Sequence, residues 1–402
     1  MDLHLQIFSD KEIRRRGTAV FARLPQGVDT LLVHTPDNVF YLSGVPLLSQ
    51  WGRPMWCLLR RDGTGVSIGA QIERENMEAN SLFDDIRPYA DDENVWQASI
   101  GLVRDVIESQ QGLGAGVGAE VELLTTQMER TLTAVLPKCD LFDAGSALAE
   151  TRLIKSQEEI DLLRLGGQVA KIGAQAFLAA QHEGITEIAV ASHAVAEMNR
   201  AIGALAPDAL SSTYAYCQSG LRTLTPHLHA TGHPLRRGEV VALNVFPVMS
   251  GYCMELERTF VLGGPTRLQC KALEAVGEAF DATKEALRPG LRMRDADEVA
   301  RGVLERRGFA RFLRHGTGHA HGIMIGAGGR EELGELRSYN HRELAPGMVC
   351  SVEPGVYVPG VGGFRHSDVM LVTDQGAECL TEFPRNFGHG SPECEEVTDQ
   401  AS

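Results

Sequence analysis

The sequence predicts an α+β protein of two domains, residues 1–152 and 153–402. Three observations carry this expectation. Residues 1–152 alternate short apolar runs (TLLVHT, MWCLLRR, TGVSIGA) with helical stretches such as 93–110, the pattern of a smaller mixed α/β domain. Beyond Lys155, two helices followed by extended runs occur twice, which reads as an internal duplication without letter-level repetition. At roughly 150 residues per domain, a chain of 402 residues accommodates two domains, the second larger.

The elements of the second domain follow from local signals. Ser156 and Glu159 have the spacing of a capping box, and Ile160, Leu163, Gly167, Ala170, Ala174 and Phe177 then recur at helical intervals until Gly184. A second helix spans 186–202. Residues 239–246 and 252–262, joined by a turn at 247–251, read as a hairpin. Helices at 268–287 and 295–307, separated by Pro289-Gly290, precede extended runs at 348–353 and 364–373. In the first domain, GLGAGVGA (112–119) only partly imitates a dinucleotide fingerprint. No clear strand–turn–helix unit surrounds it, so a loop is expected.

Composition excludes several classes. With 38 Lys and Arg against 53 Asp and Glu, the net charge of −15 repels nucleic acid and anionic lipid, and no basic patch offsets it. No segment approaches the roughly 18 uninterrupted apolar residues of a membrane span. The N-terminal stretch has acidic residues before its basic run and no apolar core leading to a cleavage site. The eight cysteines lie scattered, without a CxxC pair, so a reducing cytoplasm is expected.

Chemistry concentrates in four places. On the second hairpin arm, alternation puts Cys253, Glu255, Glu257 and Thr259 on one face, with Asn244 on the facing arm. Two crowded carboxylates then call for a compensating cation; an exposed face with solvated acids is the other reading. His227 stands in TPHLHATGHP beside His229 and His233, just before the hairpin, either as a surface residue or as a proton-transfer group working near neutral pH. HGTGHAHG (315–322) places three histidines among glycines, where metal binding is the first expectation. Glu353-Pro354-Gly355 closes an apolar strand and suits a pocket-lining acid, whereas Arg330 after two glycines is either a carboxylate grip or a solvated cation.

Taken in order, HGTGH, MVCSVEPGVY and GGFRHSD resemble the pita-bread superfamily of aminopeptidase P, prolidase, methionine aminopeptidase and creatinase, from about residue 150 onward. That resemblance implies a curved sheet enclosed by two helix–helix–strand halves. It also implies a centre of two metal ions on two aspartates, a histidine and two glutamates, at places that here read Asn244, Glu255, His319, Glu353 and Ser367. Two anionic ligands are thereby lost, which argues against a dinuclear peptidase centre.

Within the superfamily the chain is most similar to the creatinase branch, the metal-free amidinohydrolases, through LNVFPVMSGYCMELERTF, AYCQSG, GTGHAHG and GGRE, and in the first domain through WGRPMW and IGAQIE. The resemblance implies His227 as the catalytic histidine, Glu257 and Glu353 as holders of a substrate guanidinium, Arg53 and Arg330 as its carboxylate grip, and Trp51 as an aromatic wall, with His319 retained. Cys253 and Glu255 stand where that branch carries tyrosine and alanine. The added Glu255 either meets a further donor on a substrate such as guanidinoacetate, another amidine or ectoine, or joins His319 and Glu353 around a single metal. The expected activity is metal-independent hydrolysis of a C–N bond in a guanidino acid, creatine giving sarcosine and urea. A metal-dependent X-Pro dipeptidase or aminopeptidase, an ectoine-hydrolase-like enzyme and an inactive binding module are the alternatives. The resemblance further implies no cofactor and a homodimer whose partner chain covers the pocket with its first domain.

Overall fold

The computed structural model describes residues 3–5, 7–47, 53–92, 94–111, 116–136, 139–325 and 331–385, and the statements below concern these. The chain divides into two units, one formed by Met1–Arg152 with Asp208–Leu210 and Ile323–Gly329, the other by Leu153–Pro207, Ser211–Gly322 and Arg330–Ser402.

The first unit runs α1 (Asp10–Phe21), β1 (Val28–Val33), α2 (Pro36–Ser43), β2 (Trp56–Arg60), β3 (Gly65–Ala70), α3 (Arg74–Asn80), β4 (Asp85–Tyr89), α4 (Val95–Gln111), β5 (Gly116–Ala119), α5 (Thr126–Val135), β6 (Leu141–Asp143) and α6 (Gly145–Leu153). Its strands form one mixed sheet in the order β4-β3-β2-β1-β5-β6. Ile100, Val103, Val106 and Ile107 recur along α4 at helical spacing and share a core with Trp56 and Leu58 of β2 and Val66 and Ile68 of β3. The loop expected at 112–119 is corrected in part: Gly116–Ala119 is β5, parallel to both β1 and β6. Its glycines are required by packing, since a Cβ at Gly116 would meet the Gly27 carbonyl oxygen at 2.6 Å. A glycine-rich run can therefore be a buried strand where backbones approach closely.

Glu120, directly after β5, is 2% exposed. It accepts hydrogen bonds from the backbone of His34 and Thr35 and from the Asn38 amide, at 2.6, 3.0 and 2.6 Å. Burial alone would raise its pKa, but His34, Thr35 and Asn38 outweigh that and leave it at about 2. Because the folded pKa lies below the ordinary 4.5, the stabilisation is complete above pH 4.5 and is lost as pH falls toward 2. Over that interval the loss amounts to about 3 kcal/mol. Acid titration followed by circular dichroism should show a shallower loss of stability in Glu120→Gln than in the wild type; identical profiles would remove Glu120 as the group responsible.

The second unit contains α7 (Gln157–Ala180), α8 (Glu187–Leu205), β7 (Tyr214–Ser219), β8 (Val240–Phe246), β9 (Val248–Met249), β10 (Tyr252–Cys253), β11 (Leu256–Val261), α9 (Arg267–Ala286) and α10 (Met293–Arg306). It continues through β12 (Gly318–Ala320), β13 (Glu331–Leu336), β14 (Val349–Val352), β15 (Gly355–Val358), β16 (Gly362–Arg365), β17 (Asp368–Thr373) and β18 (Gly376–Cys379). The capping box expected at Ser156 and Glu159 opens α7, and Thr266 with Gln269 opens α9 in the same way, so both halves begin with a helix stopped at its N-terminus by reciprocal side-chain bonds. The sheet of the first half is β11-β8-β7 and that of the second is β13-β12-β14-β17-β18.

The two sheets meet where Glu257 and Ser367 exchange backbone hydrogen bonds, both at 3.1 Å. That seam interrupts the expected run 364–373, since Ser367 leaves the ladder of β17 to pair across it. Alternation along β11 sends neighbouring side chains to opposite faces. Arg258, 1% exposed, accordingly pairs with Asp368 at 2.9 Å and donates to the carbonyls of Glu257, Ser367 and Phe383. No helix among the described residues is long and apolar enough to cross a membrane.

Candidate active site

The seam collects buried polar side chains from both halves. In the first half, Cys253 pairs with Val248 and Leu256 with Val245, so one hairpin register persists across positions 254 and 255. Pro247, which lacks an N–H, faces that gap and interrupts the ladder there without shifting it. Glu255 and Glu257 therefore share a face as alternation predicts, and Glu257 stands directly opposite Asn244. In the second half, His319 lies on β12, His321 one residue beyond it, Glu353 one residue beyond β14 and Arg365 at the end of β16. Gly318 permits this placement, because a Cβ there would stand 2.0 Å from the Ser351 carbonyl oxygen.

Two overlapping groups result. One carboxylate oxygen from each of Glu255, Glu257 and Glu353 lies within 4.8 Å of the others, as does one ligand atom from each of Glu255, His319 and His321. Every member is buried. Nε2 of His319 is 3.5 Å and Nε2 of His321 3.6 Å from the same Glu255 oxygen, Oε2, while Glu255 Oε1 accepts from the Ser367 hydroxyl at 2.7 Å. Although burial acts to raise the Glu255 pKa, His319 and His321 hold it well below the usual carboxylate range.

Glu257 behaves oppositely. Burial, aided by Glu255 and Glu353 against the opposing pull of Arg365, pushes it up to about 8. Its Oε1 is bonded by Arg365, while its buried Oε2 has no hydrogen-bond partner. Arg365 also donates to Asn244 Oδ1 at 3.1 Å and stands 4.0 Å from Glu353.

The polar chain continues from Asn244 to the Gln218 side chain at 2.9 Å, and the Gln218 amide donates to the carbonyls of Pro226 and Leu228, at 3.2 and 2.6 Å. These carbonyls flank His227, so Glu257, Arg365, Asn244 and Gln218 link the acidic cluster to the His227 loop. His227 itself is exposed.

The structure thus gathers Glu255, Glu257, Glu353 and His319 from the residues singled out by sequence. Cys253 is buried beside them, its thiol bonded to the Met254 carbonyl and its pKa raised by burial, so it is no nucleophile. Arg53 belongs to the first unit and pairs there with Asp91 at 2.8 Å. Trp51 and Arg330 lie outside the described residues. Sequence reasoning missed Gln218 and Arg365 and gave no separate role to His321. For His321 the signal was present, since residues i and i+2 of an extended segment face the same side.

Residues 161–374 match the model of metallopeptidase family M24, and residues 25–154 match that of the creatinase/prolidase N-terminal domain. The chain belongs to family M24. It is a hydrolase of that family, and its second unit has the pita-bread fold expected from the sequence. It is 31% identical over 386 residues to creatinase of Bacillus sp. (strain B-0618), covering 94% of this chain and 92% of that one. The X-Pro aminopeptidase from Thermotoga maritima MSB8 superposes with a TM-score of 0.80 at 20% identity, over 92% of this chain and 98% of the other. The Xaa-Pro dipeptidase from Bacillus anthracis gives 0.79 at 24%, over 94% and 99%. These two likenesses concern the fold.

The dinuclear centre implied for M24 peptidases does not fit this donor set. Asn244 is engaged by Gln218 and Arg365, Ser367 donates to Glu255, and the Arg365 guanidinium is a fixed positive charge in contact with Asn244 and Glu257. A second dication beside it would meet like charge with two fewer anionic ligands.

Proposed function

We propose that this M24 hydrolase cleaves a C–N bond of a small guanidino acid, with creatine or guanidinoacetate as the substrate type. The observation that supports the reading is the buried, hydrogen-bond-free Oε2 of Glu257, a residue whose carboxylate groups with those of Glu255 and Glu353 within 4.8 Å. Arg365 bonds only Oε1 of Glu257 and stands 4.0 Å from Glu353, so Oε2 is open to a further cationic donor. A guanidinium supplies both the positive charge and planar N–H forks shaped for paired carboxylates. Glu257 and Glu353 then orient and polarise the substrate.

His227 takes a proton from water as the oxygen attacks the central guanidinium carbon, and returns it to the substituted nitrogen as the C–N bond breaks. Creatine and water give sarcosine and urea; guanidinoacetate and water give glycine and urea. The 31% identity to a protein named creatinase over most of both chains supports the same reading. The guanidinium face needs no metal, and neither Cys253 nor another cysteine enters the chemistry. The carboxylate grip assigned to Arg53 and Arg330, the wall formed by Trp51 and the homodimer belong to this proposal as well.

A second reading, metal-dependent X-Pro dipeptide hydrolysis, is favoured by the grouping of Glu255 with His319 and His321. Incubation with creatine, guanidinoacetate, ectoine and an Xaa-Pro dipeptide, with and without chelator, separates the two. Urea release from a guanidino acid is expected. Chelator-sensitive dipeptide cleavage without urea would replace the proposal by the second reading.

A further inference from the structure

We infer that Asn244 is a positioning residue: as an amide rather than a carboxylate it sets the orientation of Gln218, and through Gln218 it holds the loop that carries His227. The kinetic half of this inference rests on His227 as the proton carrier proposed above. The loop half stands on hydrogen bonds alone.

The first argument is polarity. Gln218 on β7 and Asn244 on β8 are diagonal neighbours on one face of their sheet, 1% and 2% exposed. Arginine has only donors, so Asn244 meets Nη2 of Arg365 with Oδ1, at 3.1 Å. At the other end carbonyls only accept, so Gln218 meets those of Pro226 and Leu228 with Nε2, at 3.2 and 2.6 Å. Its two N–H groups are then spent, and its oxygen is turned to Asn244. The bond between the two amides, Nδ2 of Asn244 donating to Oε1 of Gln218 at 2.9 Å, closes a chain whose direction is fixed at both ends.

A carboxylate at position 244 would break that chain in its middle. It has the size of the amide but no proton for Gln218 Oε1, so two buried acceptors would face each other. Turning the Gln218 amide over relieves the contact, because Nε2 then donates to a charge. The same turn aims Oε1 at two carbonyls, and the loop loses both bonds. Exchanging NH2 for O within the sheet is thereby felt at residues 226–228.

The second argument is that the base of the loop is closed independently. Glu187, the first residue of α8 and 0% exposed, accepts from the backbone N–H and hydroxyl of Ser219 at 2.8 and 2.9 Å, and from both of those groups of Thr231 at 2.9 Å. Ser219 and Thr231 bracket the loop, and Gln218 grips its middle. Losing that grip shifts His227 without opening the fold. Third, Nη2 of Arg365 is shared between Asn244 Oδ1 and Glu257 Oε1. The acid assigned to the guanidinium and the loop assigned to proton transfer are thus referenced to one nitrogen, an alignment that a positioned proton transfer needs.

The test uses the full-length protein and reads amide hydrogen exchange of segment 220–231 by mass spectrometry, above neutral pH so that a carboxyl beside Arg365 is ionised. Asn244→Asp is expected to speed exchange there about tenfold or more, and Asn244→Ala, which leaves Gln218 its two carbonyls, by less than about threefold. Packing alone predicts the reverse order, since alanine opens a cavity and aspartate does not. Gln218→Met, the second variant should Asn244→Asp fail to fold, is expected to match Asn244→Asp, and the double variant should exchange no faster than Gln218→Met. In urea release, Gln218→Met should lower kcat roughly 10–100-fold with KM within about threefold, because its amide bonds the loop and Asn244 rather than the acids. Faster exchange in Asn244→Ala than in Asn244→Asp, a Gln218→Met loop as protected as that of the wild type, or an unaltered kcat in Gln218→Met with a loosened loop would overturn the inference. Absence of urea from the wild type would overturn the guanidino reading instead, and the order of exchange rates would still decide what holds the loop.

Discussion

His227→Ala is expected to lower kcat for urea release by about 10²–10⁴-fold, the usual contribution of a positioned acid–base group, with KM changed far less. The separation follows from the division of labour in the site. In the proposed reaction Glu257 and Glu353 bear the binding of the cationic group, whereas His227 acts on protons as bonds form and break. Its position depends on Gln218, whose amide grips the carbonyls on either side of it and whose oxygen accepts from Asn244. Steady-state kinetics of urea release checks the expectation. A variant retaining turnover within tenfold of wild type would remove His227 from the reaction and leave the acids without a proton carrier.

Arg258→Met should destabilise the second unit by about 3–5 kcal/mol, the penalty for removing one partner of a buried ion pair. The guanidinium is 1% exposed and bonded to both Asp368 oxygens, at 3.0 and 2.9 Å. Burial pulls its pKa down, countered mainly by Asp368, so neither charge is supported without the other. Arg258 also donates to the carbonyls of Glu257 and Ser367, the residues that join the two sheets. Its loss therefore loosens the seam on which the acids stand. Denaturant unfolding measures the effect, and the double variant Arg258→Met, Asp368→Leu should regain most of the stability because no lone charge remains buried. A loss below about 1 kcal/mol in the single variant would mean that water reaches Asp368 and the pair is not structural.

Several parts of this molecule were legible in one dimension because the physics behind them is local. Ser156 and Glu159 lie three residues apart and satisfy each other's backbone donors, so the start of α7 needs nothing distant. Glu255 and Glu257 fall on one face because strand side chains alternate, and the hairpin keeps its register across Pro247. Gly116–Ala119 was misread because its glycines signal a turn when seen alone, whereas in the sheet they admit a neighbouring backbone.

Local pattern alone specified the helix–helix–strand repetition and the acidic face of the hairpin, and the family resemblance implied that Asn244 and Ser367 stand at places of metal-binding carboxylates. It took the folded chain to bring Arg365 against Glu257, Gln218 against the His227 loop, and His319 and His321 toward one oxygen of Glu255. Those choices lie outside local pattern for a physical reason. The partners are separated by 8 to 108 positions, and the energy of a buried charge depends on what surrounds it in space rather than on its neighbours along the chain.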